Sequence, residues 1–89
     1  MSRLKWNFKK YLDFLKAYGF IFGYVSGSHH FYNGRINGQD RVVQAIFSKK
    51  ETGCQSNRTM SMGIKHSGIP RSFFEEWSKT GTVHKEIIY

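Results

Sequence analysis

Two adjacent imidazoles, His29 and His30, follow a Gly27-Ser28 pair and open the aromatic run His29-His30-Phe31-Tyr32, in a chain with 14 Lys and Arg against 6 Asp and Glu. Histidine is the side chain whose ordinary pKa, about 6.5, lets it take up and release protons near neutral pH. Beside a phosphate-binding surface it suits proton transfer at a ribose hydroxyl or a phosphate. Lys49 and Lys50 are candidate cations for the charge that such a step develops on phosphoryl oxygens. In a strand, alternation puts His29 with Phe31 on one face and His30 with Tyr32 on the other. One ring of the pair is thus expected to face substrate, and alternation does not say which. The plainer alternative has one ring packed on a neighbouring strand and the other in water. His66 and His84 read as surface residues rather than catalytic ones. There is no GxxxxGK[ST] loop, no Cys/His set at zinc spacing and no nucleophile elbow, which leaves phosphate-loop, zinc-dependent and α/β-hydrolase chemistry without support.

The elements that would position these residues follow from periodicity. Phe8, Tyr11, Leu12, Leu15 and Tyr18 recur at spacings of three and four with Lys9, Lys10, Asp13 and Lys16 between them, which predicts an amphipathic helix. Asn7 is its N-cap and Gly19 its C′ residue. Phe20 to Val25 and Ser28 to Tyr32 read as strands joined by a Ser26-Gly27 turn, and Arg41 to Phe47 as a third strand. Asn33-Gly34 and Asn37-Gly38 are both turn dipeptides, and either suits the second hairpin. A polar loop from Ser48 to Ser56 leads to a helix over Asn57 to Ser67 with Met60 and Ile64 as its apolar stripe. Gly68 ends that helix and Pro70 starts a short third one over Arg71 to Ser78. Val83 to Tyr89 reads as an added edge strand or a docking arm. The expected architecture is therefore α+β, a three-stranded antiparallel sheet with helices on one face, a short C-terminal helix and a tail. The other face is left open to RNA, a protein partner or a second copy.

At 89 residues the chain is expected to be one domain, with a core over about 7–69 and an extension over 70–89. A net charge of +8 implies a polyanionic partner, either nucleic acid or an acidic protein. The lone Cys54 permits no internal disulfide, and with no metal-ligand cluster it points to a reducing compartment. No apolar run reaches signal-peptide or transmembrane length, so a cytoplasmic protein without a membrane partner is expected, with no cofactor and no bound metal.

In order along the chain, the Tyr18-Gly19-Phe20 helix end, the strand after it and the Gly27-Ser28-His29 strand start resemble the HicA toxins of bacterial toxin–antitoxin pairs. The stretch Asn57 to Ile69, Asn-Arg-Thr-Met-Ser-Met-Gly-Ile-Lys-His-Ser-Gly-Ile, is similar to the last helix of that family and its closing small-Gly-Ile. The resemblance covers about residues 7–69. It implies a fold similar to double-stranded RNA-binding domains and the activity of an mRNA interferase, a metal-independent endoribonuclease held inactive by a HicB-like antitoxin. Carried over by position, Gly27 is the turn glycine, Ser28 its neighbour at the RNA, and His29 the catalytic histidine; His30 stands where the family varies. Many members have a Pro and a His just after the third strand, where this chain has Phe47-Ser48-Lys49-Lys50, and the stretch beyond Ile69 is longer than in a minimal member. Two alternatives stay open: a basic module that holds RNA without cutting it, and a basic domain that docks an acidic protein. Oligomeric state is not readable.

Overall fold

The computed structural model describes residues 4–47 and 54–89. In chain order they form α1 (Phe8–Ala17), β1 (Ile21–Ser26), β2 (His29–Ile36), β3 (Gln39–Ile46), α2 (Asn57–Ser67), α3 (Arg71–Thr80) and a single 3-10 turn, Lys85–Ile87. The sheet is antiparallel in the order β1-β2-β3, so the α+β class and helix–strand–strand–strand–helix order expected from the sequence are present.

Local chemistry explains the element ends. The Asn7 side chain accepts from the Lys10 amide at 2.8 Å and starts α1, while Gly19, at φ 80°, turns the chain out of it. Ser56 caps α2 by accepting from Thr59 N at 3.1 Å, and Gly68 in the left-handed region stops it. α3 starts after Pro70 and runs to Thr80, two residues beyond the expected end.

The hairpins correct the expected turns. The first turn is Gly27-Ser28, with Ser26 paired to His29, so the strands are offset by one residue from the Ser26-Gly27 reading. The second is Asn37-Gly38, with φ of 53° and 75°, the two positive values that a tight two-residue hairpin turn requires. Asn33-Gly34 instead lies inside β2, which therefore extends four residues past Tyr32. A Cβ at Gly34 would stand 2.7 Å from the Phe20 ring, so this glycine is a seat for an aromatic rather than a turn.

One face of the sheet presents Tyr32, Val43 and Ala45 to a core completed by Tyr11, Phe14, Leu15, Tyr18, Met60 and Ile69. α3 stacks on α1 through aromatics: Phe14 lies 4.2 Å from Phe74 and 5.3 Å from Trp77, ring centre to ring centre, with Trp6 5.6 Å from Phe74. The other face is uncovered, and Ile21, Tyr24 and Val42 are each about half exposed or more.

The tail does not add an edge strand. Val83 to Tyr89 folds back on the far end of the same domain, where Asn37 N donates to Ile87 O (2.8 Å), Gly38 N to Tyr89 O (2.7 Å) and His84 N to the Tyr18 hydroxyl (3.1 Å). Among the described residues no helix is long and apolar enough to cross a membrane.

Candidate functional site

His29 opens β2 and is held from both sides. It pairs with Ser26 on β1 and Ile46 on β3, and the Phe47 amide donates to the Ser28 carbonyl at 2.8 Å. Ile46 is itself clamped by the buried Gln55, whose amide nitrogen donates to Ile46 O (2.7 Å) and whose amide oxygen accepts from Ile46 N (2.9 Å). A side chain thereby takes the place of a neighbouring strand on the outer edge of β3, because Ile46 turns its N–H and C=O away from β2 while Phe47 bonds to it. It fixes the strand end opposite His29.

The two histidines part at this point. His30 turns to the helix side, its ring 5.0 Å from Phe8, 6.1 Å from Phe47 and 6.2 Å from Phe22. His29 turns to the open side. There it lines a groove of about 450 Å³ between the uncovered sheet face and α2, within the roughly 300–1,000 Å³ range of small-ligand sites.

The groove is ordered in rows. Strand pairing aligns Ser26, His29 and Ile46 in the first row, Tyr24, Phe31 and Gln44 in the second, and Ile21, Asn33 and Val42 in the third. The opposite wall is one stripe of α2, Arg58, Met62 and His66, at i, i+4 and i+8, with Thr59 and Gly63 beside it. α2 runs antiparallel to β3, because Gln55 just before it binds Ile46 and Gly68 just after it lies against the Arg41 guanidinium. Arg58 therefore stands at the His29 end. His66 stands at the Val42 end, about 12 Å from Arg58 along the helix axis at 1.5 Å per residue.

At the His29 end this arrangement places one imidazole and one guanidinium, in a lining that includes no carboxylate among the described residues. Arg58 can bind phosphate oxygens through its fixed fork of donors, and His29 can exchange a proton with a hydroxyl next to that phosphate. His66 lies two rows away, at the Val42 end.

Of the residues expected to act, His29 lies in the groove. Gly27 and Ser28 form the turn that presents it but are not among the lining residues, and Lys49 and Lys50 fall outside the described residues. Arg58 and His66 were not legible as site residues. The signal was a second stripe on α2, offset from the apolar Met60 and Ile64, that has meaning only once β3 is known to lie beside it. His84, expected at the surface, is partly enclosed: its ring stacks on Phe73 with centres 3.9 Å apart and pairs with Glu76 and Glu86, and the Glu76 hydrogen bond raises its pKa above the ordinary value. The Cys54 thiol is exposed and free.

No protein-family model, curated protein or solved structure matches this chain.

Proposed function

We propose that the chain is a HicA-type mRNA interferase, a cytoplasmic toxin that cuts RNA without a metal ion on a scaffold similar to double-stranded RNA-binding domains. His29 is its general base. Supporting this reading above all is the end of the groove at which His29 and Arg58 stand together in a carboxylate-free lining, on a chain of net charge +8.

In the proposed step His29 takes the 2′-hydroxyl proton as that oxygen bonds to the adjacent phosphorus. The bond from phosphorus to the 5′-oxygen breaks, and the 5′-oxygen takes a proton from water in the open groove. The products are a 2′,3′-cyclic phosphate and a 5′-hydroxyl. Arg58 stabilises the charge on the phosphoryl oxygens. Positioned acid–base catalysis of this kind contributes roughly 10²–10⁴-fold. A HicB-like antitoxin would silence the toxin by covering the groove, and an acidic surface on it would complement the basic one here.

The uncovered aromatic face favours one second reading, an RNA-holding module that leaves its ligand intact. Incubating the purified chain with a long single-stranded RNA in EDTA separates the readings. Fragments ending in cyclic phosphate support the interferase; retention of intact RNA supports the module; indifference to RNA removes both and leaves a protein-docking domain.

A further inference from the structure

We infer that the second row of the groove is a nucleobase subsite, in which a base of unpaired RNA next to the cut phosphate stacks on Phe31. This rests on the reading above only in taking RNA as the ligand. Tyr24 and Phe31 stand side by side across β1 and β2, ring centres 4.5 Å apart and planes within 11°. Phe31 is the member that lines the groove, and Tyr24 stacks on it from the β1 side. Opposite lies Met62, 40% exposed, a flexible and polarizable side chain that can close over a flat ring. Gln44 pairs with Phe31 in the same row, and its amide can both donate to and accept from a base edge.

Charge and shape choose the occupant. A basic rim (Arg58) with no carboxylate in the lining draws a polyanion, and the π-face one strand pair further in takes a planar ring. His29 and Phe31 are neighbours on one face of β2, about 6–7 Å apart along the strand, so a phosphate at the first row carries its adjoining base to the second. A base held in a duplex is stacked and paired already and cannot enter. The groove therefore selects single-stranded segments.

Fluorescence anisotropy with short 2′-O-methyl oligonucleotides tests the subsite, since these lack the nucleophile and report binding whether or not the chain cuts RNA. Replacing bases one at a time by abasic positions should weaken binding by about 5- to 150-fold at one or two adjacent positions, the range that loss of one base–aromatic stack gives. In Phe31→Leu the same abasic oligonucleotides should lose little further, because the stack is already gone. Tyr24→Ala, at an exposed position, supplies a second variant that keeps the Phe31 side chain and removes only the ring stacked behind it, and it too should shrink the abasic penalty. Abasic and intact strands bound equally by the native chain would overturn the subsite, as would a duplex bound as tightly as the single strand. Cleavage without an abasic penalty sinks the subsite and leaves the interferase reading, whereas a penalty without cleavage does the reverse.

Discussion

His29 and His30 are adjacent in sequence and opposite in environment. His30 is an aromatic packing residue among Phe8, Phe22 and Phe47, and His29 a groove residue. Alternation made it legible in the sequence that the pair would split. It could not show which ring faces the groove, since that depends on where α2 comes to rest beside β3, ten residues after that strand ends. His30→Ala should therefore act on stability, costing about 1–2 kcal/mol as expected for a half-buried side chain losing its neighbours. Denaturant unfolding checks the loss, and cleavage per folded molecule should stay within a few-fold of the native chain.

At the scale of elements, helix and strand identities were legible because each has a clear period and its own caps, and α2 runs from Asn57 to Ser67 as expected. The errors fell where local signals compete. Asn33-Gly34 and Asn37-Gly38 have the same turn chemistry, and only the tertiary position of Phe20 makes Gly34 a strand residue. The wall of the groove rests on a comparable contact. A Cβ at Gly63 of α2 would lie 1.9 Å from the Tyr11 hydroxyl, which is buried, finds no hydrogen-bond partner among the described residues and has its pKa raised by that burial. Alanine would gain α2 about 1 kcal/mol of helix propensity, but overpacking of this kind costs about 1–3 kcal/mol. Gly63→Ala should thus destabilise the chain, with α2 displaced from α1. In a Tyr11→Phe background, where the oxygen is gone, the same substitution should cost less; thermal unfolding of the four proteins of this cycle measures the difference.

Across the whole molecule the two ends of the sheet divide the work. The groove opens where β2 begins and β3 ends. The tail locks the other end, docking on the Asn37-Gly38 turn and on Tyr18, so of the two expectations for it, an edge strand or a docking arm, the edge strand gives way to an arm clasped on its own chain. Only tertiary contacts make that clasp, which is why the poorly alternating sequence of Val83 to Tyr89 did not reveal it. His84 fastens it through Glu76 and then Glu86, which raise its pKa. A raised histidine pKa adds stability that is fully present below the unfolded-state value, about 6.5, and is lost as pH rises through the folded-state value. The melting temperature should accordingly fall as pH rises from about 6 through neutrality, and Glu76→Gln should flatten that dependence; an unchanged slope in the variant would dismiss the clasp as a pH-sensitive fastening. At the other end of the sheet His29 is proposed to move the proton. The most direct measurement of that role is the rate at which His29→Ala, shown to be folded by its unfolding midpoint, cleaves single-stranded RNA in EDTA. A loss of at least about 10²-fold with the fold intact is expected; a folded His29→Ala protein that cuts at the native rate would remove His29 as the general base.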